Sequence, residues 1–149
     1  GENGGNKMSR RLIIMQGHSG SGKTTFIKEI GKLGYNEGIA ISTDDYFFND
    51  EGEYRFDESK LEENHMKTLT KCIDHMQNAK KKNIDNCTIW LDNTNCKKED
   101  VAPYLPFARF NKFQIIYIRV EGNFKHGFSK APTTIIDQQK EDLKGFSYE

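Results

Sequence analysis

Short apolar runs alternate along the chain with longer stretches in which apolar residues recur at helical spacing. Four such runs, at 12–15, 38–42, 87–91 and 113–118, are bounded by polar or glycine-containing segments. Runs of this length are typical of strands that are buried on both faces of a parallel sheet. Because stretches of helical length separate the runs, the pattern predicts an α/β fold with a parallel sheet of four or five strands and helices on both faces.

The stretches between the runs carry helical signals. The first has apolar residues three and four apart and ends at Gly34. The second is a long helix that is expected to begin at a capping box of Ser59 and Glu62. Its sheet-facing stripe consists of Leu61, His65, Leu69, Cys72, Ile73 and Met76. We interpret His65 as a hydrogen-bonded interfacial histidine, because no carboxylate or cysteine has a matching spacing. A last helix is predicted at about 133–144.

Composition narrows the classes of protein that fit. A length of 149 residues favours one domain, at 8–149. The formal net charge of zero argues against a surface built for nonspecific nucleic-acid binding. The polar segment 1–7 is interpreted as a disordered extension or a cloning remnant. No apolar stretch has the length of a membrane span or a signal peptide, so we expect an intracellular protein of the cytoplasm or nucleus. Cys72, Cys87 and Cys96 lack C-x-x-C spacing and should be free thiols.

The segment between the first predicted strand and the first helix reads GHSGSGKT at 17–24, which fits the phosphate-loop pattern G-x-x-x-x-G-K-[ST]. Gly20 and Gly22 give the backbone the freedom to turn its N–H groups toward a phosphate. Lys23 adds a positive charge, and Thr24 offers a hydroxyl to Mg²⁺. The residues expected to bind a nucleoside triphosphate are Gly17, His18, Ser19, Gly20, Ser21, Gly22, Lys23, Thr24 and Thr25. This context predicts a three-layer P-loop NTPase sandwich.

Carboxylates follow the second and third predicted strands, at the sheet edge where ligands of open α/β folds bind. Asp44 and Asp45 could deprotonate a hydroxyl or hold metal-bound water, although a solvated turn explains them equally well. Asp92 has the form of a second nucleotide-binding motif, in which a carboxylate orients Mg²⁺-bound water or Thr24. The polar residues 93–95 are expected either to fix an acceptor or to cap the following helix.

Two further segments are candidates for the walls of a site. The aromatic and acidic loop 47–56 can stack on nucleobases, but anchoring of the loop is the favoured interpretation. The basic, glycine-containing segment at 121–132 lies where a phosphoryl-transfer lid is expected. The cations that could stabilise charge there are Arg119, Lys125, His126 and Lys130. Each of them is also compatible with an ordinary surface charge.

The motifs GHSGSGKTT, STDDYFF, LDNTN and NFKHG-x-SKAP-x-x-x-I occur in this order over 12–143. Together they resemble the polynucleotide 5'-hydroxyl kinases, of which the bacteriophage enzyme is the prototype. They are more similar still to the kinase-like domains of eukaryotic ubiquitin-ligase-binding proteins. The resemblance implies ATP and Mg²⁺ as cofactors and a nucleic-acid 5' end as acceptor. It also implies that Asp44 is the general base.

Two departures from the family pattern qualify this expectation. Phe47 stands where the phage pattern has an arginine that holds the acceptor phosphate. By comparison with the family pattern, the lid near 121–132 is shorter by roughly three helical turns, which bear two arginines in the family. Stabilisation of the transition state then depends on Arg119 or Lys125, or is lost. We therefore expect an ATP- and Mg²⁺-dependent kinase that phosphorylates a hydroxyl, with a polynucleotide 5'-hydroxyl as first choice. The alternatives are a nucleoside or sugar kinase and a nucleotide-binding interaction module, alone or within a larger protein.

Overall fold

The computed structural model describes residues 9–32, 38–122 and 131–148. Within them, four strands form one sheet: β1 (Ser9–Gln16), β2 (Gly38–Ile41), β3 (Asn86–Leu91) and β4 (Gln114–Arg119). All neighbouring strands are parallel, and their order is β2-β3-β1-β4. The predicted α/β fold with a parallel sheet is therefore confirmed.

The helices alternate with these strands along the chain. They are α1 (Lys23–Lys32), α2 (Leu61–Lys81), α3 (Lys98–Val101), α4 (Leu105–Phe110) and α5 (Thr133–Lys144). Short 3₁₀ turns occupy Thr43–Phe47, Glu58–Lys60 and Ala102–Tyr104. The last helix has the predicted bounds.

Both faces of the sheet are apolar because side chains along a strand point alternately to its two sides. On one face, Leu12 and Ile14 of β1 pack in a buried cluster with Met76 of α2. On the other face, Ile13 and Met15 pack with α1 and with Trp90 of β3. This two-sided burial explains why β1 and β3 read as continuous apolar runs in the sequence.

The start of α2 differs from the prediction. The Asp57 side chain, and not Ser59, accepts the capping hydrogen bond, from the Ser59 N–H, and it caps the 3₁₀ turn that leads into the helix. Lys60 precedes α2 without a side-chain cap, so the capping box of Ser59 and Glu62 is wrong. The buried stripe of the helix is formed by Asn64, Thr68, Cys72, Met76 and Ala79. The stripe begins with polar residues because this end of α2 packs against the polar turn Thr43–Phe47.

The cysteines and the apolar length of the helices were also predicted from the sequence. Cys72, Cys87 and Cys96 are all free thiols, as predicted. None of the helices in the described ranges is long and apolar enough to cross a membrane.

Candidate nucleotide-binding site

The phosphate loop connects the carboxyl end of β1 to the first residue of α1. Gly20 and Gly22 adopt φ angles of 82° and 102°, a region that side chains disfavour. At Gly17 the constraint is space, because an added Cβ would lie 2.3 Å from Ser21 Oγ and 2.7 Å from the Val120 carbonyl oxygen. The loop therefore needs its glycines for its shape, and it ends at the N-terminus of α1, where backbone N–H groups favour an anion.

Lys23 lies buried across the loop that precedes it. Its Nζ donates hydrogen bonds to the carbonyl oxygens of Gly17 at 2.9 Å and His18 at 3.1 Å. Burial lowers the pKa of Lys23, while the carboxylates of Asp92 and Asp44 act in the opposite direction. An ammonium group in this position is short of negative partners, and a phosphate would supply one.

Thr24 and Asp92 join the start of α1 to the end of β3. The Thr24 hydroxyl donates a hydrogen bond of 2.7 Å to Asp92 Oδ2. Burial raises the pKa of Asp92, against the opposing effects of that hydrogen bond and of the Lys23 charge. A hydroxyl and a carboxylate are the hard oxygen ligands that suit Mg²⁺, which binds through few protein groups together with phosphate oxygens. This donor pair fits such an ion.

Asp44 lies on the 3₁₀ turn that follows β2. The Ser42 side chain caps the turn by accepting a hydrogen bond from the Asp44 N–H at 3.2 Å. Asp44 Oδ1 in turn accepts a hydrogen bond of 3.0 Å from the Tyr54 hydroxyl. Burial and the Asp44 carboxylate raise the pKa of Tyr54 to about 12, so the phenol remains a protonated donor at neutral pH. Tyr54 thus fixes the orientation of the Asp44 carboxylate.

The residues after β3 connect this turn to the sheet. Asn93 Oδ1 accepts a hydrogen bond from the Thr43 N–H at 2.9 Å. Asn95 is buried, and its Nδ2 donates to the Met15 carbonyl at 2.8 Å. The alternative that one of residues 93–95 caps a helix is wrong, since Lys97 precedes α3 and its N–H donates to the Asp100 carboxylate. The two asparagines tie β3 to the Asp44 turn and to β1 instead.

One cavity of about 850 Å³ contains the phosphate loop, the Thr24–Asp92 pair and Asp44. Its lining residues from the loop and α1 are Ser19, Gly20, Gly22, Lys23, Thr24 and Thr25. The lining residues that follow β2 in the chain include Asp44, Tyr54, Phe56, Glu58, Leu61 and His65, a set that we call the acceptor wall. Asp45 is exposed and does not line the cavity. The structure therefore distinguishes the two adjacent carboxylates, which the sequence pattern alone does not.

The aromatic loop that follows the Asp44 turn is anchored mainly by its own rings. Phe47 is buried, and its ring centroid lies 5.0 Å from that of Phe56 and 6.2 Å from that of Tyr54. Phe47 therefore holds the loop and does not line the cavity, whereas Tyr54 and Phe56 do. Within the loop, Arg55 pairs with the Glu53 carboxylate at 3.4 Å.

The expected lid cations are not found beside the phosphate loop in the described part of the chain. Arg119 Nη2 donates to the Leu143 carbonyl at 2.9 Å and to the Tyr148 hydroxyl at 2.7 Å, and Arg119 does not line the cavity. The catalytic role expected for Arg119 is thus not supported, because the segment after α5 returns to the end of β4 and binds its guanidinium. Lys125, His126 and Lys130 lie outside the described residues, as does most of the predicted lid.

Three residues at the cavity carry no clear signal in the sequence. Gln139 of α5 accepts a hydrogen bond of 2.8 Å from the Ser19 N–H of the phosphate loop. Tyr54 donates a hydrogen bond to Asp44. His65, interpreted from the sequence as a hydrogen-bonded interfacial histidine, lies within hydrogen-bond distance of Thr43, but it is exposed and lines the cavity. Gln139 is 120 positions from Ser19, so no local pattern links the two.

Comparisons with known proteins agree with this architecture. A family model described as "AAA domain" matches residues 12–122. Human NEDD4-binding protein 2 is 30% identical over 108 residues, which cover 71% of this chain and 6% of that protein, so the chain spans only a small part of this relative.

Two solved structures share the fold. A chain of the "Pnkp1/Rnl/Hen1 complex" matches with a TM-score of 0.55 at 16% identity. The match covers 99% of this chain and 43% of the chain in that complex. A mutant of the APS kinase CysC from Mycobacterium tuberculosis matches with a TM-score of 0.50 at 13% identity. This match covers 92% of this chain and 96% of the CysC chain. The match to the family model extends over most of the described strands and helices. The chain therefore belongs to the AAA domain family, with a P-loop kinase-like fold, and the predicted resemblance to the polynucleotide kinase-like P-loop kinases is confirmed.

Proposed function

We propose that this domain transfers the γ-phosphate of ATP to a hydroxyl group in a Mg²⁺-dependent reaction, and that the acceptor is the 5'-hydroxyl of a polynucleotide. The observation that carries the proposal is the single cavity shared by Lys23, Thr24, Asp92 and Asp44. Phosphoryl transfer needs the triphosphate and a base for the acceptor within one site, because the attacking and leaving oxygens must be in line. The kinase-like fold supports the nucleotide-binding half of this proposal.

The residues of the loop side account for nucleotide binding. The N–H groups from Gly20 to Thr24 and the N-terminus of α1 would hold the phosphates, and Lys23 would add a charge to them. Thr24 and Asp92 would hold Mg²⁺, which neutralises the charge that develops on the phosphoryl oxygens. The 2.7 Å bond between these two side chains keeps both at one point of the cavity.

Asp44, a residue of the acceptor wall, is proposed as the general base. It would accept the proton of the acceptor hydroxyl while that oxygen forms its bond to the γ-phosphorus and the bond to the β–γ bridging oxygen breaks. The Tyr54 hydrogen bond would hold one carboxylate oxygen, which leaves Oδ2 to face the acceptor. The STDDYFF motif, which resembles that of the polynucleotide 5'-hydroxyl kinases, supports the polynucleotide as acceptor.

A small hydroxyl compound is the second candidate acceptor. Apart from Lys23, the cavity lining within the described residues contains no lysine or arginine. A strand that is held by its phosphates would be expected to meet such cations. The fold is also shared with a protein named as APS kinase.

The test is transfer of labelled γ-phosphate from ATP to a panel of 5'-hydroxyl oligonucleotides, nucleosides and sugars, with ATP binding measured in parallel by calorimetry. The proposal expects label on the 5' end of oligonucleotides at rates above those for nucleosides and sugars. If only nucleosides or sugars are labelled, the acceptor is a small hydroxyl compound and not a polynucleotide. ATP binding without transfer to any hydroxyl would contradict the kinase proposal and leave a nucleotide-binding module.

A further inference from the structure

His65 lies in the first two turns of α2 and belongs to the acceptor wall. The side chain is exposed and shares the cavity with Asp44 and Tyr54. Its ring Nδ1 lies 3.1 Å from Thr43 Oγ1, and Thr43 immediately precedes Asp44. His65 is therefore fixed through one ring nitrogen beside the proposed base.

The hydrogen bonds behind His65 determine which ring nitrogen carries a proton. Thr68 Oγ1 lies 2.8 Å from the Asn64 carbonyl oxygen, which can only accept, so Thr68 donates its single hydroxyl proton there. Thr43 Oγ1 lies 3.0 Å from Thr68 Oγ1 and must therefore donate to it. The one proton of the Thr43 hydroxyl is then used, and the hydroxyl accepts from His65 Nδ1–H.

The burial of Thr68 fixes this order of donors. Thr68 is fully buried, so no water replaces the Asn64 carbonyl oxygen as the partner of its hydroxyl proton. Reversing the Thr43 hydroxyl would leave two oxygens 3.0 Å apart with no proton between them. Neutral His65 is thus the Nδ1–H tautomer, and Nε2 carries the free lone pair of a ring that lines the cavity.

The other polar groups of the acceptor wall are also hydrogen-bond acceptors. Asp44 and Glu58 contribute carboxylates, and the Tyr54 hydroxyl proton is directed to Asp44. A wall of this kind binds a ligand that offers donors, because an unpaired acceptor against a second acceptor loses its solvation without compensation. Hydroxyl groups are such donors, whereas phosphate oxygens are not.

We propose that His65 binds the acceptor substrate by accepting, at Nε2, a hydrogen bond from a second hydroxyl of the sugar that is phosphorylated. The substrate class is an acceptor whose terminal sugar is a ribose, and a 2'-deoxyribose end is discriminated against. This inference rests on the proposed function, since it assigns the acceptor of the same site.

The test compares two 5'-hydroxyl oligonucleotides that differ only in a ribose or a 2'-deoxyribose at the 5' terminal nucleotide. For the wild type we expect kcat/KM to be about 5- to 10-fold higher for the ribose end, the size of one net hydrogen bond. His65→Phe should bring the ratio of the two values close to one. His65→Gln should retain part of the preference, because the amide oxygen can accept in place of Nε2.

His75→Phe is the matched control, because His75 is a second histidine of α2 that lies outside the cavity. Its ratio should equal that of the wild type. Equal kcat/KM values for both ends in the wild type, or a preference that survives in His65→Phe, would overturn the assignment of His65 while transfer itself upholds the proposed function. Absence of transfer to every hydroxyl would overturn both.

A second measurement determines the tautomer of His65 and does not depend on enzymatic activity. In ¹⁵N NMR spectra, His65 of the wild type should show a protonated Nδ1 and an unprotonated Nε2 at a pH where the ring is neutral. Thr68→Val removes the acceptor of the Thr43 proton, so that the Thr43 hydroxyl turns to Nδ1 and the ring changes to the Nε2–H form. A wild-type ring protonated at Nε2 would contradict the arrangement on which the proposal depends.

Discussion

The Thr24 hydroxyl donates a hydrogen bond of 2.7 Å to the Asp92 carboxylate, and so connects two motifs that are 68 positions apart in the chain. The contact exists because β1 and β3 are neighbours in the sheet and both end at the same edge. Burial raises the pKa of Asp92 even though Thr24 and Lys23 favour its charged form. At Asp92, the effect of burial on the pKa therefore outweighs the combined effects of the Thr24 hydrogen bond and the Lys23 charge.

Asp92→Asn should remove most of the effect of Mg²⁺ on nucleotide binding. The amide keeps the shape of the side chain and can still accept from Thr24, but it has no charge for the metal ion. We expect the affinity for ATP with Mg²⁺ to fall about tenfold or more, and the affinity without Mg²⁺ to change much less. Calorimetric titrations with and without Mg²⁺ check this, and equal losses under both conditions would contradict a metal-binding role.

The same substitution should stabilise the domain in the absence of ligand. An acid whose pKa is raised by folding binds its proton more tightly in the folded chain, so the free energy of unfolding falls as the pH rises through the interval above its usual value of 3.8. Asp92→Asn abolishes that loss. Thermal unfolding of both proteins at several pH values should show a higher Tm for the variant at neutral pH and a smaller difference near pH 4. A lower Tm for the variant at neutral pH would refute the argument.

Tyr54→Phe should slow transfer through its effect on Asp44. Loss of a hydrogen bond to a charged group corresponds to about a tenfold change in rate when the bond orients the base. In an Asp44→Asn background, Tyr54→Phe should have little further effect, because the group that it positions is no longer a base. Additive losses in this double-mutant cycle would show that Tyr54 acts independently of Asp44.

Arg119→Met should lower stability rather than nucleotide affinity. The guanidinium holds the Leu143 carbonyl and the Tyr148 hydroxyl, and Tyr148 in turn donates to Gln16 Oε1 at 2.6 Å. We expect a loss of about 1 to 3 kcal/mol in the free energy of unfolding, measured in denaturant. Tyr148→Phe is the matched variant and should cause a smaller loss of the same kind. A large fall in ATP affinity with unchanged stability would restore the catalytic role.

The sequence was sufficient for the strands and the phosphate loop because their signals are local. The apolar runs report burial on both faces, and the glycines report backbone angles that few other residues adopt. Both depend on neighbours in the chain, so a single sequence contains them. The last helix, α5, is of the same kind, and its bounds are those predicted.

The acceptor wall could not be read in this way, because its contacts join distant segments. In the sequence, His65 continues a helical stripe of apolar residues. In the structure, α2 packs against the turn that contains Thr43, and His65 lies beside Thr43 and lines the cavity. Arg119 follows a strand at the ligand edge, but the segment after α5 determines its contacts. These partners are 22 and 24 positions away, beyond the range of a periodic pattern.

The most direct test of the proposed reaction is single-turnover transfer of the γ-phosphate from ATP to a 5'-hydroxyl oligonucleotide by the wild type, Asp44→Asn and Asp45→Asn. General-base removal typically reduces rates by about 10² to 10⁴, so Asp44→Asn should lose transfer by that factor while ATP affinity, measured by calorimetry, changes little. Asp45→Asn should remain near the wild-type rate, because its side chain lies outside the cavity. Transfer by Asp44→Asn at the wild-type rate would contradict the account.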